Sequence, residues 1–131
     1  DKMFVATNFI KYEKKQEFEN ILLNEVMPSW YSYRDSVDEI HSLNQNAKNS
    51  MRIQKPVEMN QDSTWMFTMI ADPFIDGANY SVIPPLRQKY GDDKAKEIFA
   101  RWNACFSKQG QNLFLVEELD LKNNNLKITK N

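Results

Sequence analysis

The sequence predicts an α+β domain of order β-α-β-β-α-β, folded as a four-stranded antiparallel sheet with both helices on one face. Three observations carry this. Four segments have the β-branched and aromatic composition of strands. The stretches between the first and second strands, and between the third and fourth, place apolar residues at helical spacing. The 131 residues suffice for one core but not two, and a core of that size has a radius of gyration of ~14 Å.

Residues 3–12 (MFVATNFIKY) form the first strand. Met3, Val5, Thr7 and Phe9 face one way and Phe4, Ala6, Asn8, Ile10 and Tyr12 the other, and both faces are mostly apolar. A charged stretch, Glu13 to Glu19, opens a helix with Phe18, Ile21, Leu22 and Val26 on one stripe. Pro28 should kink or restart it, because proline removes a donor and clashes with the preceding turn. Trp30, Tyr33, Val37 and Ile40 resume the helical spacing, and the run His41–Asn49 then turns polar.

Residues 51–59 (MRIQKPVEM) alternate, with Met51, Ile53, Val57 and Met59 on one side. Pro56 makes this an edge strand, where a missing N–H is harmless. Asn60–Ser63 is a turn. Thr64–Ala71 (TWMFTMIA) follows as a strand apolar on both faces, closed by Asp72-Pro73. The loop Phe74–Tyr80 surrounds Gly77. Ser81 is placed to cap a short helix whose first turn is constrained by Pro84 and Pro85. Gly91 stops that helix and Asp92 caps the next, which is expected to run to about Lys108 with Ala95, Ile98, Phe99, Trp102, Cys105 and Phe106 inward. Gly110 ends it. Residues 112–119 are the last strand, and from about 120 a polar tail leads to Leu126–Thr129, either frayed or a short added strand.

The halves 3–59 and 64–119 share a β-α-β form without alignable residues. Right-handed crossovers turn the order into the ferredoxin-like arrangement. In that arrangement the second sheet face meets water and should alternate to polar, yet strands 3–12, 64–71 and 112–119 do not. The resulting patch exceeds what a soluble monomer shows. A second copy is the economical cover, so a homodimer packed sheet against sheet is expected; the competing cover is the polar tail or the Trp30–Asn49 segment.

Charge and composition exclude several functions. Seventeen Lys and Arg against eighteen Asp and Glu leave net charge -1, which argues against nucleic acid as a partner. Apolar residues make up 41%, and no window approaches the roughly 18 apolar residues of a membrane span. One cysteine forms no internal disulfide, and one histidine builds no multi-His metal site. No metal site and no cofactor are therefore expected, and three glycines hold no phosphate loop. The start at Asp1 rather than Met fits a removed tag, the plainer reading, or a removed signal peptide. The chain reads as soluble with its compartment open, export after signal-peptide removal included. Cys105, within a helical pattern, reads as a buried structural thiol.

The element order, the length and the stretch Pro85-Leu86-Arg87-Gln88-Lys89-Tyr90-Gly91-Asp92-Asp93-Lys94-Ala95, followed by Trp102 and a final apolar strand, resemble the dimeric α+β barrel superfamily, which includes antibiotic-biosynthesis monooxygenase-like and NIPSNAP-like proteins. The resemblance implies a two-fold dimer whose sheets form a barrel, with a pocket between sheet and helices in each subunit. Activities in that group range over cofactor-independent oxygenation, haem degradation, dechlorination and isomerisation, and fold alone does not choose among them. Its haem-binding members use an axial histidine, a role that no matching position carries over to His41.

The candidate catalytic residues are Arg87, Asn103 and His41. His41 is the one imidazole, and in its polar run the plainer reading is a solvated side chain, since a general base needs a cleft and an orienting partner. Arg87, near Tyr90, can bind a carboxylate or stabilise an enolate, although a surface ion pair is the commoner fate; the same holds for Arg101 beside Trp102. Asn103 is the nearest match to the polar groups with which oxygenase relatives orient a phenolic substrate. Trp30, Tyr33, Trp65, Tyr90 and Trp102, with Thr68 as a polar contact, are the candidates for lining a pocket around a flat hydrophobic ligand, with plain core packing as the alternative for each aromatic. Asp92-Asp93 suits a helix N-terminus, and the Glu117-Glu118 carboxylates point apart. The expected protein is thus a dimer binding a small hydrophobic molecule. The alternative is a cofactor-independent monooxygenase or isomerase acting on an aromatic one.

Overall fold

The structure, a computed structural model, describes residues 1–123. Strand β1 spans Lys2–Lys11 and is followed by a 3-10 turn, Tyr12–Lys14. Helix α1 (Lys15–Ile21) continues through a π-helical segment, Leu22–Val26, into α2 (Met27–Ser32). Then come α3 (Asp38–Ser50), β2 (Met51–Gln54), β3 (Thr64–Ala71), α4 (Ile83–Tyr90), α5 (Asp92–Ala104) and β4 (Phe106–Glu117). The fold is α+β, and its antiparallel sheet has the order β2-β3-β1-β4, the ferredoxin-like order with two central strands flanked by the second and the last.

Register explains the two faces. Ala6 lies opposite Met69 and Leu113, Asn8 opposite Phe67 and Gln111, and Ile10 opposite Trp65 and Phe106. This set faces the helices. Val5 lies opposite Ile70 and Phe114, and Phe9 opposite Met66, on the other face. There Phe114 is 49% exposed and Met66 36%, so that face carries apolar side chains in contact with solvent.

The core forms where α1, the π-segment and α5 meet the sheet. Phe18 is fully buried with its ring centroid 4.8 Å from that of Phe67, 4.5 Å from Trp102 and 5.5 Å from Phe106. Ile21, Leu22, Val26 and Ile98 belong to it, as do Ile10 of β1 and Leu86 of α4. A second aromatic group, Phe4, Phe74, Tyr80 and Trp30, stacks with centroids 5.3 to 6.4 Å apart.

Several boundaries depart from the sequence expectations. Pro28 does restart the helix: it sits in the first turn of α2, and just before it the Met27 N–H reaches back five residues to Leu22 O. The wider π turn absorbs the donor that proline lacks. The helical spacing across Tyr33 and Val37 is broken by an extended Tyr33 and by Asp35 Oδ1, which accepts the Val37 N–H at 2.9 Å. The polar run His41–Asn49 is helical and lies within α3, which buries only Asn44, Ala47 and Ser50. Strand β2 ends at Gln54, five residues before the expected Met59, and Val57 is 99% exposed. Pro56 thus follows the edge strand instead of lying in it. Ser81 is not the N-cap of α4, a position that Val82 holds without a side-chain capping bond; from one residue earlier, Ser81 Oγ accepts the Ile83 N–H at 3.3 Å. Gly91, at φ +81, stops α4 and itself precedes α5, with Asp92 as that helix's first residue.

Helix α5 ends at Ala104 rather than near Lys108. Phe106 is the first residue of β4, and Gly110 lies inside that strand at φ +62. Between Ile10↔Phe106 and Asn8↔Gln111 the β4 side has extra residues, a bulge that needs a residue free to take positive φ. Strand β4 stops at Glu117, and the expected tail segment Leu126–Thr129 lies outside the described residues.

Candidate functional site

A cavity of about 630 Å³ lies between the helix-facing side of the sheet and the helices. Each wall follows from an element already placed. Strand alternation brings Phe4 and Ala6 of β1, Met69 of β3 and Leu113 of β4 to the floor. The π-segment and α2 supply Val26, Met27 and Trp30, one face of continuous helix across the π turn. Helix α5 supplies Phe99, Trp102 and Asn103, and the start of α4 supplies Val82 and Ile83. The cavity therefore separates the two aromatic groups, with Trp102 and Phe106 on one side and Phe4, Tyr80 and Trp30 on the other.

Its chemistry is lopsided. No Asp, Glu, Lys, Arg or His lines it among the described residues. Ser81, Asn103 and Gln111 are the polar side chains, all three exposed, so polarity is confined to the rim. Trp30 is anchored by its Nε1, which donates to Asn79 O at 3.1 Å. The Tyr80 ring faces the cavity while its hydroxyl accepts the Ile75 N–H at 2.9 Å. Burial raises the Tyr80 phenol above the ordinary 10.0, so it stays protonated at neutral pH.

Of the residues singled out from sequence, Trp30, Trp102 and Asn103 line this cavity together. The others do not. Tyr33 follows α2 and its hydroxyl donates to Asp35 Oδ2 at 3.2 Å. Trp65 faces the helices near the far end of β3, where its Nε1 donates to Tyr12 O at 3.0 Å and Lys15 Nζ lies 4.2 Å from its ring. Thr68 is on the open face, its Oγ1 donating to Gln54 Oε1 at 2.6 Å. Tyr90 packs against the edge of the core. Arg87 is exposed and borders a separate cleft of about 80 Å³ with Leu86 and Phe99. His41 lies on α3 away from the cavity, and its enclosed Nδ1 has no partner among the described residues. Arg101 is engaged by Glu25 and Glu97, the ion pair expected of it.

Sequence reading missed Ala6, Met69 and Gln111 as cavity residues. Alternation signalled the side of the sheet for Ala6 and Met69, but Gln111 depends on the bulge at Gly110, which no local pattern announces. Helix α5 buries Cys105 completely just beyond its end; desolvation raises the thiol above its usual 9.0, and Sγ donates to Arg101 O at 3.3 Å. Among the described residues no cluster of His, Cys, Asp or Glu is arranged to hold a metal ion, and no helix is long and apolar enough to cross a membrane. No family model, no curated protein and no solved structure matches this chain.

Proposed function

We propose that this protein binds a small hydrophobic molecule in the cavity between sheet and helices. The observation that carries this reading is the cavity itself. Its 630 Å³ falls within the ~300–1,000 Å³ of small-molecule sites, and its walls are apolar and aromatic with a polar rim. Met27, Met51 and Met69 add unbranched, polarisable walls that adapt to ligand shape. The alternative, a cofactor-independent monooxygenase or isomerase for an aromatic molecule, has no charged or imidazole group on the wall, among the described residues, to move a proton. Binding is therefore the preferred reading.

The test uses naphthalene as probe and the emission of Trp30 and Trp102 as readout. Saturable quenching is expected in the wild type. Ala6→Leu extends a buried wall residue into the void; it should leave the protein folded and weaken naphthalene binding at least tenfold. Equal binding in wild type and variant would remove the cavity as the site.

The same reading sets a second copy against the open sheet face, where Val5, Ile70, Phe9, Met66 and Phe114 are gathered. Apolar patches of this kind mark interaction sites, and a self-complementary two-fold contact is the commonest way to cover one. Sedimentation should show a dimer that Phe114→Glu dissociates. A wild type that sediments as a monomer would refute the pairing.

A further inference from the structure

The polarity of the cavity rim is set from inside the sheet. Asn8 is completely buried in the middle of β1, between Phe67 and Gln111 in the register. Its Nδ2 donates to Phe67 O at 3.2 Å. A backbone carbonyl only accepts, so this bond dictates which way the Asn8 amide is turned. Asn8 Oδ1 is left toward Gln111, whose Nε2 donates to it at 2.8 Å. A flipped Gln111 would oppose two oxygens, so its orientation is fixed as well. Gln111 lines the cavity, and no described residue donates to its Oε1.

The other rim groups do not discriminate. Ser81 Oγ accepts the Ile83 N–H. The exposed Asn103 amide has no partner among the described residues and can turn either end to a ligand. Gln111 is instead the rim amide whose orientation is fixed. Asn8 Oδ1 draws Nε2 and one of its two hydrogens back into the sheet, and Oε1 is the end left with no donor among the described residues, which favours a ligand that donates. Among the described residues no cation lines the wall to compensate the desolvation of a carboxylate.

We propose that Gln111 is the specificity-determining residue of this cavity, and that the ligand is an uncharged molecule with an apolar body and one O–H or N–H group delivered to Gln111 Oε1. This rests on the binding reading above. It predicts a preference between ligands of one shape, which that reading alone does not.

The test compares 2-naphthol with 2-methoxynaphthalene, the same ring with its donor capped, and with 2-naphthoate, each titrated against tryptophan emission at neutral pH. The wild type should bind 2-naphthol about tenfold more tightly than 2-methoxynaphthalene, the worth of one hydrogen bond. The naphthoate should be the weakest of the three. Gln111→Met should bring the first ratio within twofold by weakening 2-naphthol alone. Because that variant leaves Asn8 Oδ1 unpaired, Asn8→Leu combined with Gln111→Met serves as the second variant and should give the same flat ratio. If both neutral probes bind the wild type equally, if Gln111→Met keeps the preference, or if the naphthoate binds tightest, this inference fails while ligand binding stands. If no probe binds, the binding reading fails and takes this inference with it.

Discussion

Arg101 grips Glu25 through two parallel bonds, Nη1 to Oε1 at 3.0 Å and Nη2 to Oε2 at 2.7 Å. The pair ties α5 to the π-helical segment, and so fixes the spacing of two cavity walls, Trp102 on one element and Val26 on the other. Carboxylate hydrogen bonding by Glu25 raises the Arg101 guanidinium further above its ordinary value. The Arg101 side chain is 34% exposed and that of Glu25 24%, so solvent screens part of the attraction.

Glu25→Gln should accordingly lower stability by about 1 kcal/mol, between an exposed pair and a buried one. Urea unfolding at low salt measures it. The gap between wild type and variant should narrow at ~1 M salt, where exposed charges are screened. A gap that is unchanged by salt would mean that packing, not charge, holds the two elements together.

Asp62 connects the start of β3 to the bulge in β4. It accepts from Thr64 Oγ1 at 2.6 Å and from Gln109 Nε2. The Thr64 hydroxyl first, then Gln109, hold its carboxyl below the ordinary 3.8. A depressed folded-state value means stability that is present above 3.8 and lost as pH falls through the folded value. Thr64→Val removes the largest cause. Carbon-detected NMR titration should show the Asp62 carboxyl moving up toward 3.8 in that variant. An unmoved titration would make Gln109 the dominant partner.

Cys105 should be chemically silent in the folded state. It is fully buried, and desolvation raises its thiol above 9.0, which suppresses the reactive thiolate. The raised folded value contributes stability that is intact below 9.0 and lost as pH rises through the folded value. Ellman's reagent should react slowly with the native protein and at the free-thiol rate in denaturant. Native labelling at the free-thiol rate would mean that the end of α5 opens readily.

The elements most legible in the sequence were those with the least polar ambiguity. β3 was delimited to its last residue because TWMFTMIA is flanked by a turn and by Asp72-Pro73. Helix α3 escaped because its buried face is Asn44, Ala47 and Ser50, which makes no apolar stripe. The start of β4 escaped because Phe106 lies four residues after Trp102, a spacing that a helix also satisfies, while in fact the two rings meet edge-on across a chain reversal. For the site, Trp30, Trp102 and Asn103 were accessible as helix-borne residues near the apolar stripe. Tyr33 and Trp65 are equally aromatic, and only tertiary placement separates them from the cavity. The relay from Phe67 O through Asn8 to Gln111 spans 103 residues between its side chains, beyond any local pattern.

Phe18 is the residue on which the core depends most. Three aromatic rings converge on it, from β3, α5 and β4, and it has no exposed surface. Phe18→Ala removes the ring and leaves a void that rigid neighbours cannot close, a loss of about 3–5 kcal/mol. Total stabilities are only ~5–15 kcal/mol, so the variant should unfold at markedly lower urea, with Trp102 emission shifted toward that of a solvated indole even before the transition. Val57→Ser, at a side chain that is 99% exposed, is the matched control and should change stability by less than about 0.5 kcal/mol. Similar losses from the two substitutions would mean that the Phe18 cluster does not organise the fold.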